Sequence, residues 1–284
     1  MMNRVLLSKN AYYSSVKLRK RIGLPLDVPI PIYDIVENYG IDVRFLDTKS
    51  IEGMYSKTPG PAILIGAYRP KGRQTFTCAH ELAHHIFDHG SKIDEIKEYK
   101  IQDSEEEFLA DCFAGYFLIP PFAINYIVKL KKWSLSKLTP IQTLYLSNYF
   151  GVGYTTIINH LCYSLKLIST DKLRELVSHS KKNIYNQLTQ MTISSDLLII
   201  DNCHKINMDV NVGDFVYTPK DIFYEGINLS LENILSDGNL YKAVSVGISR
   251  FTNNQNDWAK YCRISKKDFV GRNKYKHLGE ADDA

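Results

Sequence analysis

At 284 residues the chain suits two domains better than one or three, and its 44% hydrophobic content is ample for a sizeable core. A formal charge of +4, with 23% charged residues, does not mark a nucleic-acid binder by composition. Cys78, Cys112, Cys162, Cys203 and Cys262 form no Cys-x-x-Cys pair, and so odd and scattered a set argues against a disulfide framework and for a reducing compartment.

The start, MMNRVLLSKNAYYSS, lacks the apolar core of about 7–15 residues that a signal peptide needs. No run reaches the about 18 uninterrupted apolar residues of a membrane span. The nearest, CFAGYFLIPPFAINYIV, is broken by Pro120 and Pro121. A cytoplasmic protein without a membrane segment is the expectation.

In chain order, residues 11–22 read as a short basic helix with Lys17, Arg19, Lys20 and Arg21 on a solvated face. Lys129, Lys131 and Lys132 read the same way. Pro25, Pro29 and Pro31 make an extended approach to a second helix over 33–39, stopped by Gly40. Three runs rich in β-branched and aromatic residues, 41–46, 51–56 and 62–67, predict a small sheet, with Pro-Gly-Pro between the last two. Residues 74–89 and 104–118 look helical, the second closed by the two prolines. Residues 138–168 read as two helices hinged at 151–153, and 171–190 as one charged connector helix.

From about residue 192 the texture changes. LLIID, GDFVYTP, LYKAVSVGISRF and WAKYCRIS are strand-like runs separated by Asn, Asp and Gly, and the tail GEADDA is acidic and expected to fray. The expected fold is therefore α+β: a mixed N-terminal domain over 1–135, a helical segment and connector over 136–190, and a small β-rich domain over 191–284.

The chemistry concentrates in CAHELAHHIFDHG. His80 and His84 are four apart, so a helix places them on one face, a turn apart. Both imidazoles can then reach one metal, and Glu81 between them can reach a water on it. This His-Glu-x-x-His spacing is the signature of zinc peptidases. Catalytic zinc usually takes three protein ligands. A metzincin would need glycine three residues after His84 and histidine six after it. Those positions hold Phe87 and Gly90, which excludes that pattern.

A gluzincin-type third ligand is a glutamate on a later helix, and SEEEFLADCFAGYFLIPP supplies Glu107. Asp111 follows one turn on, at the edge of an apolar face made by Phe108, Leu109, Cys112, Phe113, Tyr116 and Phe117. Asp111 would accept the Nδ1–H of a ligating histidine and fix its tautomer. On spacing alone Glu107 has a second reading. Ser104-x-x-Glu107 is also a capping box, in which the glutamate only satisfies a backbone N–H. His85 and His89 stay open as an alternative ligand or a transition-state group, although His85 points about 100° away from His84 around the helix.

HELAHHIFDH, then Glu-x-x-Ala-Asp-x-Phe-Ala, then Leu-Ile-Pro resembles the ImmA/IrrE family of metallopeptidases over about residues 25–170. Glu107, Ala110, Asp111, Phe113, Ala114, Leu118 and Pro120 fall on the family pattern. The resemblance implies a zincin-like domain over 1–135. In it His80, His84 and Glu107 hold one Zn2+ per chain, with Mn2+ or another divalent ion as a possible activator, Glu81 is the catalytic base and Asp111 backs a ligand. It further implies a specific cut in a helix-turn-helix transcriptional repressor, which releases stress or mobile-element genes. The alternative is a zinc-binding regulator or toxin–antitoxin or defence partner of peptidase ancestry that acts through protein contacts. Retention of Glu81 argues for turnover, because a structural zinc site needs no base.

The segment SKLTPIQTLYLSNYFGVGYTTIINHLCYSLKLIS has a helix-turn-helix outline whose second helix would present Tyr154, Thr155, Asn159, His160 and Tyr163. DNA-reading helices carry Arg or Lys for guanines and phosphates, and this one has only Lys166 at its end. Packing or protein docking is expected of it, not direct DNA binding.

Overall fold

The computed structural model describes residues 3–95, 104–255 and 257–278. The acidic tail 279–284 lies outside them. The first helix, α1 (Arg4–Arg21), starts earlier than the sequence suggests because the Asn3 side chain caps it, accepting from the Leu6 amide. Ala11, Ser15, Leu18 and Arg19 form its buried stripe. It packs on α4 (Glu105–Leu118), with Tyr12 edge-on to Tyr116 at 5.3 Å.

Arg19 is a correction to the expected solvated face: it is wholly buried. Its Nε and Nη2 donate to the Phe117 carbonyl at 3.0 and 2.7 Å, and Nη1 to Pro25 and Val28 at 2.6 and 3.1 Å. Burial lowers its pKa to about 10, which leaves it charged at neutral pH. The guanidinium thus stitches the Pro-rich approach to the end of α4. Arg19→Met is expected to cost about 3 kcal/mol, since buried acceptors lose their donor. A urea midpoint unchanged from wild type would refute that role.

The first sheet runs β13-β1-β3-β2-β4. Its strands are β1 (Asp42–Leu46), β2 (Ile51–Ser56), β3 (Ala62–Gly66), β4 (Lys92–Glu95) and the returning β13 (Gly271–Arg272). Val43, Phe45, Ile63 and Ile65 alternate onto the core face. Helices α2 (Ile32–Asn38) and α3 (Lys71–Ile86) pack against it.

The helical middle contains α5 (Pro121–Leu130), α6 (Pro140–Phe150), α7 (Tyr154–Asn159), a π turn over His160–Ser164, α8 (Thr170–Val177) and α9 (Lys181–Thr189). Gly151, in the left-handed region at φ +66°, ends α6 where the hinge was expected. The connector predicted as one helix is two, because Ser180 caps a new helix by accepting from the Asn183 amide. The segment Glu105–Leu130 is long and apolar enough to cross a membrane by length and composition, yet it is mostly buried, with α4 ending at Leu118 and α5 starting at Pro121.

The C-terminal part forms two four-stranded sheets. One orders β5 (Leu197–Ile199), β7 (Phe215–Pro219), β10 (Gly238–Ala243) and β9 (Leu229–Ile234). The other orders β6 (Met208–Asn211), β12 (Ala259–Ser265), β11 (Gly247–Asn253) and β8 (Ile222–Glu225). Val210, Val216, Phe251 and Ile264 fill the space between them. The first of these sheets is covered on its other face too: Leu197, Ile199, Tyr217 and Leu240 belong to the same core as the helices. Lys131, expected in a solvated cluster, is instead ion-paired to Asp201. The end of the β-rich part over 191–284 returns to the first sheet. Phe269 packs edge-on to Phe45 at 6.2 Å, and β13 pairs with β1 of the first sheet. Deleting 192–284 would therefore strip a core face as well as a surface.

Candidate active site

Helix α3 carries the motif between the first sheet and α4, so most of its circumference is buried; His84 and Glu81 are fully so and His80 is 7% exposed. Helical spacing brings the Nε2 atoms of His80 and His84 to 3.0 Å. Helix α4 delivers Glu107, whose Oε2 is 3.1 Å from His80 Nε2 and whose Oε1 is 3.6 Å from His84 Nε2. The two imidazoles, by hydrogen bonding first, hold the Glu107 carboxyl well below the usual carboxylate range.

Tetrahedral ligands at zinc distances stand about 3.3 Å from one another. The 3.0, 3.1 and 3.6 Å edges of this triangle match that spacing, and all three donor atoms lie within 4.8 Å of one another. Each imidazole also has a partner on its far nitrogen. His80 Nδ1 is 2.9 Å from Asp111 Oδ1, and His84 Nδ1 is 2.9 Å from His89 Nδ1. An Nδ1–H donated outward leaves an Nε2 lone pair pointing inward. Two such lone pairs and a carboxylate converging on one point fit a divalent cation.

The two readings of Glu107 separate here. Ser104 does cap α4, accepting from the Glu107 amide at 3.1 Å. The Glu107 side chain turns instead to the histidines. His89, open as an alternative ligand, stands behind His84 with its ring stacked on Phe87 at 5.6 Å. His85 is on another face of α3, where its Nδ1 meets the Tyr55 hydroxyl at 2.7 Å and its ring meets Tyr39. It does not join the triad.

Gly53 went unnoticed in the sequence. It lies on β2, and a Cβ there would come within 2.5 Å of Glu81 Oε1 and 2.3 Å of Thr77 Cγ2. Glycine inside a strand often marks such a close approach, and that was the available signal. Gly53→Ala is expected to displace the Glu81 carboxylate and slow turnover by about 10–100-fold with metal content unchanged. Wild-type turnover in that variant would show that the contact is not limiting.

Beside the triad opens a cleft of about 430 Å³ lined by Arg73, His80, Asp111, Asn159 and Tyr163 among others. This revises the expected second helix of the helix-turn-helix outline. Tyr154 and His160 are buried, the first donating to the Leu176 carbonyl at 3.1 Å and the second pairing with the Ile119 carbonyl at 3.1 Å. Burial lowers the His160 pKa to about 4. Thr155, Asn159 and Tyr163 stay exposed, and the last two belong to the cleft wall.

Residues 36–161 match the family described as the IrrE N-terminal-like domain, a peptidase family. No curated protein matches the chain. Among solved structures, a Mycobacterium tuberculosis transcriptional regulator is similar at 15% identity and a TM-score of 0.36. That match covers 57% of this chain, which spans about half the length of that structure, 52%.

Proposed function

Residues 36–161 form an ImmA/IrrE-family domain, and from that premise we propose that this protein is a zinc-dependent endopeptidase that makes a specific cut in a transcriptional repressor. The observation that carries the reading is the convergence of His80, His84 and Glu107 within 4.8 Å, with Glu81 buried on the same helix. A bound divalent ion supplies Lewis acidity there, polarising a peptide carbonyl and lowering the pKa of water to about 7. Nitrogen and carboxylate donors suit zinc and also admit manganese.

Glu81 takes the proton of the attacking water and passes it to the leaving amide nitrogen. Gly53 leaves the room in which its carboxylate lies. Asp111 and His89 hold the two imidazoles in orientation through Nδ1. Asp111→Asn is accordingly expected to lower metal affinity or activity by about 10–100-fold; equilibrium dialysis with zinc reads this, and unchanged affinity together with unchanged activity would remove Asp111 from the site. Arg73, Asn159 and Tyr163 offer polar groups along the cleft for a substrate backbone.

The proposed substrate is a helix-turn-helix repressor, recognised by docking outside the scissile bond, in the cytoplasm. A protease loose among cytoplasmic proteins needs that restriction. The test is co-expression with the products of neighbouring genes, with fragments located by mass spectrometry. A single defined cut, absent with Glu81→Gln, supports the reading. Efficient hydrolysis of casein by the same preparation would make this a general peptidase instead.

A further inference from the structure

A second cavity, away from the metal-ligand triad, lies where the first domain, the helical segment and the C-terminal sheets meet. It measures about 330 Å³, within the size range of small-molecule sites. Ile30, Leu144, Val152 and Leu197 supply apolar walls.

Most of the charges around it are directly paired. Lys71 pairs with Asp214, Lys181 with Asp196 at 3.3 Å, and Asp209 is held by Arg263 at 2.6 and 2.9 Å. Lys276 also lines the cavity and is only 6% exposed; its ammonium makes no hydrogen bond or ion pair to a described residue, and the carboxylate that acts on it from nearby is Asp209. It rests on the Phe45 and Tyr33 rings at 4.2 and 5.2 Å. Burial lowers its pKa to about 8, so it is largely charged at neutral pH. Asp209 is already held by Arg263, so the ammonium has no carboxylate to itself, and a ligand anion would give it a direct partner.

A second observation points the same way. Pro70, Lys71 and Gly72 line the same cavity at the start of α3. That helix has no side-chain cap, and its first bonded amides are Arg73 and Gln74, both donating to the Pro70 carbonyl. The Lys71 and Gly72 amides have no acceptor among the described residues. Uncapped amides at the positive end of a 16-residue helix bind anions.

We propose that this cavity binds a small organic anion, a carboxylate or phosphate ester on an apolar body, with its charge on Lys276 and the amide end of α3. The same helix bears His80, Glu81 and His84 further along. The proposal rests on the cavity and not on peptidase activity.

The test is thermal denaturation and calorimetry of the full zinc-loaded chain with phenyl phosphate, benzoate and neutral phenol. At about ten times its Kd a bound anion should raise Tm by about 3 °C, and phenol should not. Which anion binds identifies the head group. Lys276→Met should weaken binding by about 10–100-fold, and Lys276→Arg should keep it. A response lost in His80→Ala but retained in Lys276→Met would place the anion on the metal and overturn the proposal. So would no response to either anion, or an equal response to phenol. Should Lys276→Met fail to fold, 13C-dimethylation of the wild-type lysines reads the site directly. The Lys276 resonance, assigned by its loss in Lys276→Arg, must move on saturation with phenyl phosphate or benzoate; a resonance that stays put overturns the proposal.

Discussion

A Glu81→Gln chain is expected to keep its metal and its fold while cutting about 10²–10⁴-fold more slowly, the usual contribution of a general base. The carboxylate is wholly buried on α3, one residue from His80. An amide of the same shape fills the same space beside Gly53 but cannot accept the water's proton. Metal content should stay near one ion per chain, because none of the three donor atoms is touched. The measurement is cleavage of the identified repressor under single-turnover conditions, beside elemental analysis of the same sample. Equal rates for Glu81→Gln and wild type would remove Glu81 from the chemistry. Loss of metal in that variant would instead make Glu81 part of the ligand set.

The second large effect belongs to Glu107→Gln. A capping glutamate and a ligand glutamate respond differently to this change. The Ser104 hydroxyl caps α4 through the Glu107 backbone amide, which the substitution leaves in place. Helix content and Tm without metal should therefore hold. The carboxylate that meets His80 at 3.1 Å and His84 at 3.6 Å becomes neutral, so one anionic donor of three is lost. Zinc affinity should fall by at least about 100-fold, more than for a residue that only supports a ligand. Competition with a chromophoric chelator reads this directly. Retained zinc with a lowered Tm would return Glu107 to a capping role and call for a different third ligand.

Much of this site was legible in one dimension because helices are periodic. A separation of four positions between His80 and His84 places two imidazoles on one face whatever surrounds them. Glu107 was nameable by its motif, although its spacing served a cap as well as a ligand. The short strands of the first sheet were visible as β-branched runs, and the break at 151–153 as two closely spaced glycines.

Other features came from distances between residues far apart in sequence. Arg19 looks like its neighbours Lys17 and Lys20; only the Phe117, Pro25 and Val28 carbonyls around it make it a buried clasp. His85 and His89 differ in role although both adjoin the motif, because one side of α3 faces Tyr55 and the other carries the triad. Gly53 matters through Glu81, which is 28 positions later. Lys276 is an ordinary lysine near the chain end until Phe269 and β13 carry it back to the first sheet. Local periodicity, capping and turn chemistry depend on residues within a few positions, so the sequence by itself determined the metal-motif helix and the order of the elements. Burial, charge pairing and closeness to a second element depend on where the chain returns, and only the tertiary structure decided which histidine meets His84, which glycine makes room for Glu81 and which lysine lies buried on two aromatic rings.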